Sequence, residues 1–573
     1  MFDAETLARS RELAAQWEQD YRRLAGKFKA DGAARASDSG VPLKPAYFPH
    51  DVEGLEFSRI GAPGQYPFTR GNLPAQYQFM NWANQPVIGY GLPEQTRARM
   101  DLLAAQGMVG YFGQRFYNLV YDLVSHEGLD PDHAAARGRI GECGMAVYSV
   151  ADMARLFDGL KLPEMNVVHI TYYQVIPALA QYIAYARRCG VAPGELRGNS
   201  MNWYHQSAYV GMSAFPPESG LKLAVELIRY CAEHMPRWNT TNFFAYGVEE
   251  AGGSAVQEAG LMLAFGVELV EACRRAGVAP ETTLSRCGFQ IAQANDFFEE
   301  ICKIRALRQL WATTMRERFS VQSASSLHVR IHTHTSGACL TAQQPMVNLI
   351  RTTLHAFGAA LSGTQAMEVS SYDEALSIPT EEAALLALRV QQVIQEESNV
   401  TAVSDPLAGS YYVEALTAQI ARAIAQFAER VEAQGGYIAA QRSGWIRGEI
   451  EASAERWRDA VNRGDKRIVG LNCFTVEDKD ERRIFRVDSD AERIAVERVQ
   501  QLRKSRDPSR HEKAMERFRT AARASAARKL EDMPGSGHEL MNSAIEAADA
   551  DATTGEMMAV MKEAYGWGPP HEF

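Results

Sequence analysis

The sequence predicts an α/β protein: a (β/α)8 TIM barrel with an N-terminal helical arm and a C-terminal helical extension. Three observations lead there. Between about residues 76 and 400, short β-branched or apolar runs alternate with long helical patterns, as parallel strands joined by helices do. The 573 residues are too many for one small core and enough for a barrel with accessory segments. No G-x-G-x-x-G follows an early strand, which counts against the competing doubly wound open sheet.

Taken in order, residues 1–75 form the arm. Its first thirty or so read as a charged, Ala-rich amphipathic helix, unlike a secretion signal. A Gly/Ala/Ser/Asp linker follows, then an extended stretch rich in Pro, Gly and aromatics that would wrap a neighbouring subunit or its own barrel. The barrel is expected over 76–410. Asn166 to Tyr173 reads as a strand before a helix from Pro177 to Cys189. Trp238 to Tyr246 precedes a helix from Ser254 to Ala276, and His328 to Thr333 a helix from Pro345 to Leu361. Tyr246, His332 and Glu374 fall where strands give way to loops, the end of a barrel at which ligand chemistry gathers. Residues 411–573 read as helical. The charge-dense part from 480 to 530 suggests a solvated tail, and Gly537 to Trp567 a last amphipathic helix.

Composition narrows the function. The formal net charge is -10 without a basic stripe, which argues against a nucleic-acid partner. Eight cysteines without a C-x-x-C suit a reducing compartment rather than a disulfide framework. No apolar run reaches membrane-spanning length, so a cytoplasmic location without membrane contact is expected.

The stretch that organises the chain is Arg330-Ile331-His332-Thr333-His334-Thr335-Ser336-Gly337. Residues two apart share one face of a strand, so His332 and His334 can line one pocket. A zinc pair would need a third ligand, and none is evident nearby in sequence, so no metal is expected.

This strand, followed by Gly363-Thr364-Gln365 and Ser371-Tyr372-Asp373-Glu374-Ala375, resembles the large subunit of the adenosylcobalamin-dependent acyl-CoA mutases. That family includes methylmalonyl-CoA, isobutyryl-CoA and 2-hydroxyisobutyryl-CoA mutases. Further segments keep the family's order: Asp122 to Asp132, Gly138 to Gly144, Phe215-Pro216-Pro217-Glu218, Tyr246 with Glu250-Ala251-Gly252, Gln395 to Ser398 and Asp405 to Tyr412. The resemblance implies a carbon-skeleton mutase using adenosylcobalamin. Glu250 and Glu374 fall where the family holds the adenosyl ribose. Tyr246, Leu123, Cys143, Ser370, His332 and His334 fall where it faces the corrin or adenosyl. His332, His334, Tyr246 and Glu368 form the expected catalytic group.

The substrate side departs from the family. Its active-site tyrosine falls on Val87, and the Tyr, Thr and Arg that touch the CoA chain fall on Leu73, Ala75 and Met80. The histidine that polarises the thioester falls on Gly247. The Gln and Arg that read the methylmalonyl group fall on Ser200 and Val210. A lysine near the CoA phosphates falls on Ser325, while Arg286 survives. Asn118, His205 and Gln365 complete the expected substrate lining. Without an arginine fork a substrate carboxylate is poorly served, so methylmalonyl-CoA is not the expected substrate. The cobalt-ligating Asp-x-His-x-x-Gly is also missing. A separate small cobalamin-binding subunit is therefore expected to dock, giving a dimer of heterodimers. The alternative is a non-catalytic barrel that binds such a subunit as scaffold or regulator.

Overall fold

A computed structural model describes residues 2–27, 35–110, 113–202, 204–205, 209, 211–477 and 484–569. Eight parallel strands follow the chain. Strand β1 comes in two pieces, Ala83–Asn84 and Val87–Ile88. Next come β2 (Arg115–Val120), β3 (Met165–Ile170) and β4 (Arg197–Ser200). Strand β5 is again in two pieces, Trp238–Asn239 and Thr241–Phe244. The last three are β6 (Cys287–Gln293), β7 (Ile331–Thr335) and β8 (Ala366–Glu368). Helices alternate with them: α1 (Pro93–Ala105), α2 (Val150–Phe157), α3 (Val175–Arg188), α4 (Pro217–His234), α5 (Ala255–Arg275), α6 (Phe297–Phe319), α7 (Val347–Leu361) and α8 (Glu381–Glu397). The expected strand–helix units are present, with their bounds moved by up to three residues.

Pairing runs through the eight strands in cyclic order, the order of a (β/α)8 barrel. The split strands are its joints. The lower piece of β1 pairs with β8 and the upper piece with β2. The lower piece of β5 pairs with β4 and the upper piece with β6. Toward the C-terminal mouth the ladder is therefore missing between β8 and β1, and between β4 and β5. Side chains bridge both gaps. The Glu368 carboxyl accepts the Val87 backbone N–H, and Tyr209 donates its hydroxyl to the Phe244 carbonyl at 2.7 Å.

Local signals explain the helix starts. Ser254 and Gln257 form a capping box ahead of α5; Asp296 caps α6 and Thr380 caps α8. Each oxygen satisfies an N–H that the first turn leaves without a partner. Strand residues sort by parity, as alternate side chains must. Tyr117, Leu119, Val167, Phe243, Phe289 and Ile291 pack outward into the large core under the helices. Phe116, Val168, Ile170, Met201, Phe244 and Ala292 form a separate inner cluster with Tyr246.

One buried ion pair fixes the upper end of β6. Lys303 on α6 is wholly buried and donates to Glu258 and Glu300, both at 2.5 Å, and to the Ala292 carbonyl at 2.9 Å. Glu258 in turn accepts the Ala292 N–H at 2.7 Å. Two carboxylates around one ammonium keep it protonated.

The arm lies on its own barrel. Asn72 donates to the Val329 carbonyl at 2.6 Å and Tyr77 to the Thr364 carbonyl at 2.7 Å. Buried Arg308 holds the carbonyls of Phe68, Thr69 and Ser362. These contacts put residues 68–82 across the N-terminal ends of β7 and β8. At the other end of the chain the solvated-tail expectation needs correcting. Helix Pro508–Ala527 buries Met515, Phe518 and Ala522. Helices Glu539–Asp549 and Thr554–Tyr565 bury Leu540, Met541, Ile545, Met557 and Met561. All these side chains join the main core, because the charges occupy only the outer faces of these helices. No helix among the described residues is long and apolar enough to cross a membrane.

Candidate functional site

Strand β7 brings the histidines together. His332 and His334 are both buried and face the lumen with Gln290 and Ala292 of β6 and Ala366 and Glu368 of β8, their register partners. Their rings lie 6.4 Å apart at 25°. The His334 ring stacks on Tyr246 at 4.0 Å and 6°, and Gln290 Nε2 sits 3.2 Å from its Nδ1. Burial holds His332 down to about 3 and His334 well below the usual histidine range. Both imidazoles are therefore neutral at physiological pH. Neither ring nitrogen of His332 has a hydrogen-bond partner.

Just above, the loop after β7 meets two glutamates. Glu250 Oε1 accepts the backbone N–H groups of Gly337 (2.8 Å) and Ala338 (3.1 Å) and the Ser336 hydroxyl (3.2 Å). Tyr246 donates its hydroxyl to the same carboxylate. A Cβ placed on Gly337 would lie 2.7 Å from Glu374 Oε1, 3.2 Å from Glu250 Oε2 and 3.5 Å from Tyr246 Oη. Three oxygens from two strand ends thus converge on one small volume, which the absent side chain keeps open. Burial first, then the neighbouring Glu250 carboxylate, push Glu374 up to about 7 despite a hydrogen bond from Ser370. Ser370 is also fixed to Thr335 through its N–H and its hydroxyl.

Glu368 stands in the lumen beside His334. Burial, and then Glu374, raise its carboxyl well above the ordinary range, and its Oε2 has no partner. Sequence reasoning missed Glu249, the neighbour of Glu250. Burial and that neighbour raise it strongly, its Oε2 is unpartnered, and Cys339 Sγ lies 3.9 Å from its other oxygen. Two successive glutamates at a strand end were the available signal.

The structure separates the remaining expected residues. Val87 and Asn118 do face the lumen, side by side in register. Leu123 and Cys143 lie in the loop above β2, Leu123 half-buried and Cys143 exposed near Tyr172. Ser200 points the other way. Its hydroxyl accepts Trp238 Nε1 at 2.9 Å, because Asn199 and Met201 hold the inward parity of β4. His205 is likewise outside the lumen. Its ring stacks on Phe265 of α5 at 4.2 Å, and burial among aromatic rings keeps it near 3. Arg286 and Gln365 sit at the opposite, N-terminal end of the strands. There Gln365 accepts the Ile331 N–H and an Asn72 amide proton. Val210 lies outside the described residues.

Gly247 has no room for a side chain. A Cβ there would lie 2.1 Å from the Phe244 ring, so the phenyl group fills the space beside it. Below the apolar collar lies a belt of amides, of which sequence reasoning named Asn118 alone. Asn118, Asn199, Asn242 and Gln290 are all buried, each with its side-chain oxygen unpartnered. Among the described residues, one group of three metal-competent side chains occurs, Glu233, His234 and His538. It lies at the C-terminal end of α4, at the other end of the barrel from the histidine strand.

Comparison with known proteins agrees over nearly the whole chain. The family model described as methylmalonyl-CoA mutase matches residues 36–567. A methylmalonyl-CoA mutase of Rhizobium meliloti is 35% identical over 559 residues, 96% of this chain and 75% of that protein. The methylmalonyl-CoA mutase large subunit of Streptomyces virginiae is 34% identical, covering 96% of this chain and 74% of its own length. The 2-hydroxyisobutanoyl-CoA mutase large subunit of Aquincola tertiaricarbonis is 32% identical, covering 92% of this chain and 91% of its own.

Proposed function

The chain belongs to the methylmalonyl-CoA mutase family, and from that membership we propose that it is the large, substrate-holding subunit of an adenosylcobalamin-dependent carbon-skeleton mutase acting on an acyl group other than methylmalonyl. One observation carries this reading: Glu250, Glu374 and Tyr246 converge around Gly337 at the C-terminal mouth. The residues fit the adenosyl group. Glu250 spends Oε1 on the Ser336–Ala338 turn, leaving Oε2 beside the Glu374 carboxyl. Two carboxyls side by side can accept from a pair of vicinal hydroxyls. The neutral His332 and His334 and the Tyr246 ring offer a flat, uncharged wall below them.

When bound, the cofactor supplies the radical chemistry that abstracts and returns a hydrogen. The chain's own residues position and exclude. The Ser336–Gly337 turn and Glu250, fixed to each other, would hold the adenosyl group at the mouth. The collar of Val87, Ile170, Met201 and Phe244 keeps water away. Glu368, protonated and with one oxygen unpartnered, is the group placed to donate a hydrogen bond to a substrate carbonyl, the role for which Gly247 has no side chain. The cobalt ligand belongs, in this reading, to a separate small subunit.

Electron paramagnetic resonance tests the proposal. The chain is mixed with a cobalamin-binding small subunit and adenosylcobalamin over a panel of acyl-CoAs and free acids. A substrate-dependent signal from cob(II)alamin coupled to an organic radical is expected. Silence across the panel with a stable complex on gel filtration would favour a non-catalytic scaffold. Glu374→Gln should cost about a hundredfold or more in turnover, against about twofold for Cys143→Ala. Equal small effects would sink the assignment of the carboxylates.

A further inference from the structure

The lumen also says what kind of acyl group fits, given the mutase reading, on which this inference rests. From β1 to β5 the upper inward positions carry hydrocarbon, Val87, Val120, Ile170, Met201 and Phe244, while at the level of Val168 the wall is mixed, with the amides of Asn118 and Asn199 beside it and Phe116 beneath. No inward strand position in that upper half is Lys or Arg. Arg197 and Arg330 lie only at the N-terminal ends of β4 and β7. The acidic groups that reach the upper lumen and its mouth are Glu368 on β8, then Glu374 and Glu250. The two imidazoles there are held neutral by burial.

A second carboxylate on the substrate would enter this space without a guanidinium fork to pair it. It would also face three acidic side chains across a poorly solvated gap, and unpaired ions in such places are strongly disfavoured. A hydrocarbon chain meets the opposite reception. Val87, Val120, Ile170, Met201 and Phe244 offer it an apolar wall on the β1–β5 side. The polar atoms left without partners around it are Glu368 Oε2, both ring nitrogens of His332 and, lower down, the amide oxygens of Asn118, Asn199, Asn242 and Gln290.

We infer that the acyl group received between Val168, Phe244 and Glu368 is uncharged and largely hydrocarbon: the thioester of a branched-chain or aryl-substituted monocarboxylic acid, not of a dicarboxylic acid. The residue that sets this choice most directly is Phe244, which closes the space beside Gly247 and offers its ring face to the substrate.

Isothermal titration of the full chain tests the inference, with isobutyryl-CoA, 3-phenylpropionyl-CoA, succinyl-CoA and methylmalonyl-CoA as probes. At least one of the two neutral esters should bind about tenfold or more tighter than both diacid esters. A diacid ester that binds as tightly as the better neutral ester overturns the inference and leaves the mutase reading standing. Failure of all four to bind counts against an acyl-CoA substrate altogether and removes the inference with it.

Discussion

Glu374 keeps its proton to about pH 7 because it is buried beside a second carboxylate. Its unfolded counterpart ionises near 4.5. Between those two values the unfolded chain releases a proton that the folded one retains, so this group's contribution to stability falls as pH rises from about 4.5 to 7 and is level above. Ligand binding runs the other way. A carboxylate accepts from two hydroxyls where a carboxylic acid must give up part of that capacity. Affinity for 5′-deoxyadenosine, read by titration calorimetry, should therefore rise through about pH 7. In Glu374→Gln the inflection should vanish; its persistence would assign the step to another group. At this scale the convergence of Glu250, Glu374 and Tyr246 was readable because these residues stand in contiguous motifs around Tyr246, Gly337 and Glu374. The substrate side was not. Ser200 is one residue out of phase with the inward parity of β4, an offset that no strand this short reveals. The clash that keeps position 247 a glycine depends on how the Phe244 ring turns, which no spacing encodes.

The helices beyond the barrel show how charge density can mislead. The stretch 480–530 is rich in Arg, Lys, Glu and Asp, yet Met515, Phe518 and Ala522 recur at spacings of three and four and bury one face in the main core with the two helices that follow. Exposed ion pairs such as Arg519–Glu516 add little. Phe518 is completely buried. Phe518→Ala should cost about 3–5 kcal/mol, read as a lower denaturation midpoint with an unchanged m-value. A change under about 1 kcal/mol would mean that this helix is ornamental to the fold. Strand–helix alternation, by contrast, was plain in the sequence. Strands such as Met165–Ile170 and Ile331–Thr335 are short runs with β-branched residues, and several of the helices open on a recognisable cap, as Ser254, Asp296 and Thr380 do. The arm's path was not, because it is fixed by single long-range bonds such as Asn72 to Val329.

For the whole molecule, the two split strands matter most. Ladder bonds toward the C-terminal mouth are missing between β8 and β1 and between β4 and β5, and the side chains of Glu368 and Tyr209 stand in their place. Amides along those edges should exchange with deuterium faster than those of β2, β3, β6 and β7. Binding of substrate and cofactor together should slow them. Uniform protection around the barrel with or without ligand would show that the seams are static. The residue pattern did not announce the second of them, since Trp238 to Tyr246 reads as one run. Their consequence concerns timing. A barrel already ajar on two opposite sides admits a bulky guest without first breaking itself. Shutting it then becomes the last event before chemistry, and the guest itself is what turns the latch. A reactive species generated inside such a vessel would exist only while the door is closed.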